Sequence, residues 1–429
     1  MRRAALYILA GIMFFFFRSI PVHAEEPVIV VLDPGHGGEN LGAEYEQYTE
    51  KNMTMTVAES MKEELEKYEG VTVYLTRNED KDMTLEERVD FAKSVNADFL
   101  FCLHFNMSEK HDLFGAEVWV SAFDNEYKKG YTFASVEMDM LKGIGLYSRG
   151  IKTRLNDEGE DYYGILRHAT ANDLPSALIE HCHLDQANDK EFYTSEEKLR
   201  QFGVLDATAV AKYYGLKSET LGVDYSDYQN VEIAVPTSAV KPDDTEPDIC
   251  IIDVKDVNEE NGDVSVSVSA QDYDSYMLYY SYSFDGGMTF SDLQRWKEGE
   301  DTIRFTMNVP SGTLPEVVVR AYNGFDKFTE SNHIHLSSLV YGEPTEEAVE
   351  ASNMTKGNVI EQGSSDTSIE ASEGQKNHQS KKEQKEENQI TIIYFLQVTL
   401  ICIAILFVLL VFAMILSSSR SKKKRGRRK

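Results

Sequence analysis

Short apolar runs that end at a polar residue recur in the first half of the chain. Three of them are VIVVLDPGHGG beginning at Val28, ADFLFCLHFN beginning at Ala97 and SALIEH beginning at Ser176. Apolar runs of this length are typical of parallel strands that are buried on both faces. Because such strands present the residues that follow them at one edge of the sheet, we expect the polar ends of these runs to lie near one another.

Helical patterns fill the segments between these runs. Apolar residues recur at helical spacing over residues 52–68. Two pairs with capping-box spacing, Thr84 with Glu87 and Thr194 with Glu197, indicate the starts of two more helices. The alternation of strands and helices predicts an α/β domain whose mostly parallel sheet is flanked by helices on both faces.

Strict alternation of apolar and polar residues replaces the helical pattern after a proline-containing, acidic linker. The strings VSVSVSA, YYSYSF, IRFTMNV and EVVVRAYN alternate in this way, which predicts antiparallel strands with one buried face. At about 95 residues this part of the chain suits a small sandwich of the immunoglobulin or fibronectin kind. Its tyrosines either fill the core and pair across strands or stack on sugars, and the first interpretation is favoured.

The two ends of the chain each carry a long apolar stretch. Arg2 and Arg3 precede an apolar run and a VHA string, which indicates a secretory signal peptide cleaved after Ala24. An uncleaved signal anchor is the alternative. Residues 390–416 contain no charge and are long enough to cross a bilayer, and the basic tail that follows should remain cytoplasmic. This pattern predicts a single-pass membrane protein whose α/β domain lies outside the cell.

The charge of the chain is divided between the two compartments that this topology defines. Three of the 43 basic residues precede Glu25 and eight follow Ser419, so the remaining 32 face all 72 acidic residues in the exported part. This acidic excess disfavours nucleic acid as a partner. The predicted organisation is a signal peptide (1–24), an α/β domain (25–217), a linker (218–247), a β-sandwich (248–343), a disordered polar stalk (344–389), a transmembrane helix (390–416) and a basic cytoplasmic tail (417–429).

Four residues at or after the apolar runs are candidates for chemistry. His36 ends the first run, Glu50 follows it by 14 residues, His104 ends the second run and Glu180 the third. Two imidazoles and a carboxylate form the ligand set of an open catalytic zinc site, and the fourth group is then left for acid/base work. The first run alone also fits an ordinary strand-to-helix turn with an exposed histidine, but the set of four favours the metal site.

These residues, in this order, resemble the zinc-dependent N-acetylmuramoyl-L-alanine amidases of the Amidase_3 type. The resemblance extends from about residue 28 to 216 and includes DPGHGG, VYLTR, LHFN, GAEVWVS, SRGIK and LPSALIEH. It implies a six-stranded sheet with one zinc ion at an edge, held by His36, Glu50 and His104. It also implies peptidoglycan as the substrate, cut at the amide between N-acetylmuramic acid and L-alanine. Glu180 would move the proton from water to the leaving amine.

Three arginines near these motifs are candidates for binding a substrate carboxylate. Arg77 and Arg88 more often form structural ion pairs at such positions. Arg167, in the strand-like segment YGILRHA, is the better candidate by its position in the family.

The residues after the catalytic glutamate depart from the family pattern. The chain has HCHLDQAN where a glycine, a phenylalanine and a Ser-Asn pair are usual. His181 or His183 could be an extra ligand or support one, but a histidine at the rim of the cleft is favoured. Cys102 and Cys182 are better explained as two buried free thiols than as a disulfide.

The sequence therefore predicts a peptidoglycan amidase anchored to the plasma membrane and facing outward. Two other functions stay open. The chain could be a catalytically silent wall-binding or scaffold protein whose β-sandwich is the recognition unit, which the intact set of four residues disfavours. It could also be a zinc peptidase that acts on another bond of the cell wall.

Overall fold

The computed structural model describes residues 27–310, 312 and 315–337, and all of them belong to one compact unit. The predicted signal peptide, transmembrane helix and basic tail, together with the polar stalk, lie outside the described residues. Among the residues that are described, no helix is both long enough and apolar enough to cross a membrane.

A six-stranded sheet forms the centre of the first domain, in the order β4-β1-β5-β8-β6-β7. All neighbouring strands are parallel except β6 and β8, which are antiparallel. The prediction of a mostly parallel, six-stranded sheet is therefore confirmed, with one antiparallel pair that makes it mixed. The strands of this sheet are β1 (Val28–Pro34), β4 (Val71–Leu75), β5 (Phe99–Asn106), β6 (Ala116–Val120), β7 (Ser148–Lys152) and β8 (Ser176–His183). Two short hairpins lie outside it and pair β2 (Glu44–Tyr45) with β3 (Tyr48–Thr49) and β9 (Lys217–Ser218) with β10 (Val223–Asp224).

Helices cover both faces of this sheet, as predicted. One face packs against α1, α3 and α6, which contribute Val57, Phe133 and Phe202 to a shared core. The other face packs against α2 and α4, which contribute Val89 and Ile165 to a second core. The helices are α1 (Glu50–Leu65), α2 (Leu85–Ser94), α3 (Asp124–Gly143), α4 (Gly164–Thr170), α5 (Ala187–Lys190) and α6 (Glu196–Tyr214).

Two of the predicted local patterns differ from the structure. The capping box of Thr84 and Glu87 is present, but α6 is capped by Ser195, whose side chain accepts from the backbone N–H of Lys198. Threonine and serine are both good N-caps, so the pattern alone does not distinguish two adjacent candidates. The segment around Arg167 is the helix α4 and not a strand, because its apolar residues fall at helical spacing and pack beside α2.

The second half of the described chain forms a β-rich domain (residues 248–337, hereafter the β-domain). One antiparallel sheet has the order β11-β12-β15, and the other has the order β14-β13-β16-β17 with β18 beside β16. The two sheets share one hydrophobic core. The strands are β11 (Ile249–Asn258), β12 (Asp263–Gln271), β13 (Met277–Ser283), β14 (Gln294–Arg295), β15 (Thr302–Asn308), β16 (Glu316–Asn323), β17 (Phe328–Glu330) and β18 (Ile334–His335).

The tyrosines of the β-domain differ in how deeply they are buried, which bears on the two roles considered for them. Tyr280 and Tyr282 pack against the core of the sandwich, and Tyr279 is fully buried. Tyr273 is 72% exposed. Most of these rings therefore contribute to packing, and resemblance to an immunoglobulin or fibronectin domain stays a prediction.

The segment between the two domains is packed against the first domain. The backbone N–H of Val240 donates to the carbonyl of Ala122 at 2.8 Å, and its carbonyl accepts from the hydroxyl of Thr153 at 2.7 Å. The two domains also share a small apolar cluster, in which Phe114 meets Tyr279 and Leu278. They are thus in direct contact and not merely tethered.

Candidate metal centre and catalytic carboxylate

Three of the four predicted residues converge where β1 and β5 end. His36 follows β1, His104 lies near the end of the neighbouring β5, and Glu50 begins α1. The Nε2 atom of His36 lies 3.0 Å from one oxygen of Glu50, and the Nδ1 atom of His104 lies 3.0 Å from the other. One ligand atom from each residue falls within 4.8 Å of the others, which is the arrangement of a metal site.

Two glycines allow this close approach. A Cβ atom on Gly35 would lie 2.3 Å from Cε1 of His104, and one on Gly42 would lie 2.5 Å from Oε2 of Glu50. Both contacts are too short for any side chain. The glycines of the DPGHGGENLGA string therefore leave room for the three ligands. On sequence alone, the same glycines indicate only a turn.

The hydrogen bonds of His36 prepare its ring to bind a metal. Its backbone has a positive φ of 61°, which costs free energy for a residue other than glycine. Nδ1 of His36 donates to Oδ1 of Asn40 at 2.9 Å, and the same oxygen accepts from the backbone N–H of Gly42. With Nδ1 carrying a proton, Nε2 is the nitrogen that could release its hydrogen bond to Glu50 and offer a lone pair to a metal.

The charge state of the group also suits a cation. Burial alone would raise the pKa of Glu50, but hydrogen bonds from His104 and His36 hold it well below its usual range. Burial would lower the pKa of His36, which the hydrogen bond and charge of Glu50 raise instead. An anionic carboxylate between two imidazoles is a donor set that zinc prefers, so the residues present fit a zinc ion.

Arg77 and Arg88 support the turn that carries His36. Arg88 forms a buried ion pair with Asp33 at 2.7 Å and donates to the carbonyl of His36 at 2.8 Å. Arg77 donates to the carbonyls of Pro34 and Gly35. Arg88 therefore forms the structural ion pair that its position favoured, and Arg77 supports the same turn through hydrogen bonds to backbone carbonyls.

Glu180 lies beside the three ligands. On β8 it is the register partner of His104 on β5, and on its other side it is paired with Glu117 on β6. Its Oε2 atom is buried and has no hydrogen-bond partner within the described part of the chain. Burial and the charges of Glu50 and Glu117 raise its pKa well above the usual range of a carboxyl group. A buried carboxyl group with a free oxygen is suited to accept and release a proton.

The structure adds a residue that the sequence reasoning did not single out. Glu117 is fully buried on β6, where its Oε2 accepts from Nε of Arg149 at 2.9 Å and from Nζ of Lys152 at 2.8 Å. Its Oε1 accepts from the side chain of Asn106 at 2.9 Å. The sequence did contain a signal for this residue. A glutamate inside the apolar strand GAEVWVS requires a buried cation as its partner, and the string SRGIK supplies an arginine and a lysine.

Arg167 does not reach the other candidate residues through any of its hydrogen bonds. Its Nη1 donates to the carbonyls of Asp161 at 2.7 Å and Tyr162 at 3.1 Å, and Nε faces Glu160 at 3.7 Å. Its side chain is 35% exposed, so part of the guanidinium is open to solvent. Contact with substrate stays a prediction.

The two histidines after Glu180 are buried, so the interpretation of a histidine at the cleft rim is wrong for both. Nδ1 of His181 donates to the carbonyl of His104 at 2.9 Å, and its Nε2 lies 3.0 Å from Asp206. Nδ1 of His183 donates to the carbonyl of Gly115 at 3.0 Å. Neither belongs to the group of three ligands. His181 instead supports the backbone of one of them.

The cysteines near the site are free thiols, as predicted. Cys102 and Cys182 are buried and unpaired, and burial raises the pKa of each thiol well above its usual value. At neutral pH they are therefore protonated and unreactive.

Residues 30–212 match the family Amidase_3, described as N-acetylmuramoyl-L-alanine amidase. The chain is 29% identical over 195 residues to the uncharacterized protein YqiI of Bacillus subtilis, covering 44% of this chain and 88% of YqiI. It is 27% identical over 190 residues to the N-acetylmuramoyl-L-alanine amidase CwlM of Bacillus licheniformis, covering 44% of this chain and 70% of CwlM.

Among solved structures, Cwp6 from Clostridium difficile is 30% identical, with a TM-score of 0.41, over 44% of this chain and 29% of Cwp6. The match to the Amidase_3 family of N-acetylmuramoyl-L-alanine amidases thus covers residues 30–212, which lie within the first domain.

Proposed function

We propose that this protein is a membrane-anchored peptidoglycan hydrolase that uses zinc to cleave the amide between N-acetylmuramic acid and L-alanine. The observation that carries the proposal is the convergence of His36, Glu50 and His104, with the free oxygen of Glu180 on the neighbouring strand. Each of these residues would then have the role that the family resemblance implies.

His36, Glu50 and His104 would hold the metal. A zinc ion at this position would polarise the scissile carbonyl and make water more acidic. Glu180 takes the proton of the attacking water and gives it to the nitrogen of L-alanine as the amide bond breaks. The backbone N–H groups of Ala43 and Phe105 donate to Glu50 at 2.7 and 3.0 Å, which holds its carboxylate in place between the two histidines.

Anchoring rests on the sequence of the C-terminal part. Residues 390–416 are apolar and uncharged, and eight of the last ten residues are basic. With a signal peptide at the other end, this pattern would hold the enzyme on the outer face of the plasma membrane, where peptidoglycan lies.

The two rival functions make different products. A silent wall-binding protein would release nothing, and a zinc peptidase would expose new amino termini inside the stem peptide. The intact ligand group and the free carboxyl of Glu180 disfavour the first rival. Nothing in the geometry of the ligands favours the second.

Digestion of purified peptidoglycan tests the proposal. The full chain should release stem peptides that begin with L-alanine and leave glycan strands intact, as measured by amino-terminal labelling and mass spectrometry. Glu180→Gln is the matched control, because it is nearly isosteric and should still bind zinc. New termini within the stem, or equal product from the variant, would contradict the proposal.

A further inference from the structure

The β-domain contacts the first domain close to the strands that carry the site. Tyr279 on β13 packs its ring on Phe114, with ring centroids 4.8 Å apart, and its hydroxyl donates to the carbonyl of Phe114. Tyr147 donates to the carbonyl of Trp296 at 3.1 Å. Phe114 lies in the loop that joins β5, which carries His104, to β6. The β-domain therefore touches the connection that follows a ligand strand.

A second contact shows that the two surfaces are shaped for each other. The ring of Tyr276 fits against Gly150 and Gly324, where a Cβ atom would lie 1.9 Å from its hydroxyl oxygen and 2.5 Å from its Cζ, respectively. The hydroxyl donates to the backbone carbonyl of Arg149. Any side chain at either glycine would displace this ring, so the fit depends on both domains.

Arg149 lies at the centre of this interface and bonds to both domains. Its Nη1 donates to the hydroxyl of Tyr279 at 3.0 Å and its Nη2 to Asp326 at 2.8 Å, both in the β-domain. Its Nε donates to Glu117 at 2.9 Å in the first domain. The arginine side chain is only 2% exposed, so its position is set by these partners and not by solvent.

Glu117 connects Arg149 with the catalytic region. It is the register partner of Glu180 on the adjacent strand, so both side chains project from the same face of the sheet. Its other oxygen holds Asn106, two residues beyond His104, and also accepts from the indole N–H of Trp119 at 3.2 Å. Movement of Glu117 would therefore change the surroundings of Glu180 and the end of the strand that carries His104.

We propose that Arg149 and Glu117 are positioning residues for the amidase reaction, and that Tyr279 and Asp326 of the β-domain act on Glu180 through them. The proposal rests on the proposed function of Glu180. The β-domain would then help to position the catalytic residues, and would not be a separate module for binding the wall. A buried guanidinium that loses one partner shifts toward its remaining partners, and this shift is what would displace Glu117.

Two conservative changes in the β-domain test this proposal. Asp326→Asn removes the charge that holds Nη2, and Tyr279→Phe removes the hydroxyl that meets Nη1. The matched control is Glu298→Gln, because Glu298 pairs with Lys142 at 2.9 Å across the same two domains but has no contact with Arg149. Hydrolysis of a soluble N-acetylmuramoyl-peptide is measured in the full chain, well below the melting temperature of each variant.

Asp326→Asn and Tyr279→Phe should each lower kcat by roughly 3- to 30-fold with KM unchanged, whereas Glu298→Gln should leave both constants unchanged. In a Glu117→Gln background, Asp326→Asn should lower kcat no further, because its path to Glu180 runs through Glu117. A purely structural role would lower the melting temperature and spare kcat. Wild-type kcat in both folded variants would overturn the proposal.

A second measurement does not depend on activity. The chain has two tryptophans, and Trp119 donates to Glu117, so its ¹⁹F resonance in fluorotryptophan-labelled protein reports on the position of Glu117. The resonance is assigned with Trp296→Phe. Asp326→Asn and Tyr279→Phe should shift it, and Glu298→Gln should not. If the wild type is inactive, the proposed function fails, and an unshifted Trp119 resonance would separately overturn the link from the β-domain to Glu117.

Discussion

Acid should destabilise this protein through His183. The side chain lies at the end of β8, three residues after Glu180, and is 1% exposed. Burial, with the positive charge of Arg149, lowers its pKa to about 3. The folded protein thus keeps His183 neutral at pH values where the unfolded chain protonates it.

The direction and size of the effect follow from this difference. The unfolded histidine titrates near 6.5, so the contribution of His183 to stability is complete above that pH and is lost as the pH falls toward 3. One pKa unit corresponds to about 1.36 kcal/mol, so the fall from pH 6.5 to 5 should cost about 2 kcal/mol of unfolding free energy.

Urea unfolding at pH 7 and pH 5 checks this prediction. Between these two pH values, the wild type should lose about 2 kcal/mol more unfolding free energy than His183→Gln, whose amide does not titrate. His335→Gln is the control, because the side chain of His335 is 75% exposed, and it should behave like the wild type. Equal losses in the wild type and His183→Gln would refute a buried, neutral His183.

Three further predictions concern the metal, the proton and the topology. His104→Ala and His36→Asn should each lose zinc, measured by mass spectrometry, while their circular dichroism spectra stay unchanged. Asparagine is chosen at position 36 because it tolerates the positive φ, and full zinc occupancy in both variants would exclude the two histidines as ligands. Glu180→Gln should keep zinc but turn over about 10² to 10⁴ times more slowly, and near-normal turnover would remove it from the mechanism. Protease added to wall-stripped cells should cut between residues 345 and 389 and release active enzyme; activity that stays with the cells would reverse the predicted orientation.

Much of the site could be predicted because its residues stand at the ends of recognisable strands. His36, His104 and Glu180 each close an apolar run, and neighbouring parallel strands bring such ends together. Glu50 is different, since it begins a helix and no strand pattern marks it. Its assignment rested on its position 14 residues after His36 and on the ligand set that it completes, which the family resemblance supports, and the structure places it between the two histidines.

The features that could not be predicted from the sequence include contacts between residues far apart in the chain and the exact bounds and types of short elements. Arg149 and Asp326 are 177 residues apart in the chain, and no local pattern pairs them. The segment around Arg167 was predicted as a strand and is a helix. Over seven residues the helical spacing of its apolar positions is a weak signal, and packing beside α2 confirms it only in the folded protein. The cap of α6 is Ser195 and not the predicted Thr194, because Thr194 has a glutamate at capping-box spacing but the adjacent serine is also a good cap.

The three buried glutamates of the site differ in what neutralises them, and this difference separates their roles. Glu117 is neutralised by Arg149 and Lys152, which together hold its pKa well below the usual range despite its burial. Glu50 is held by two imidazoles and lies where a cation would bind. Glu180 has no such cation, and its Oε2 lacks a hydrogen-bond partner among the described residues. Of the three, Glu180 is therefore the carboxyl group that is least engaged by ion pairs and hydrogen bonds within the fold. This leaves it able to exchange a proton with a substrate.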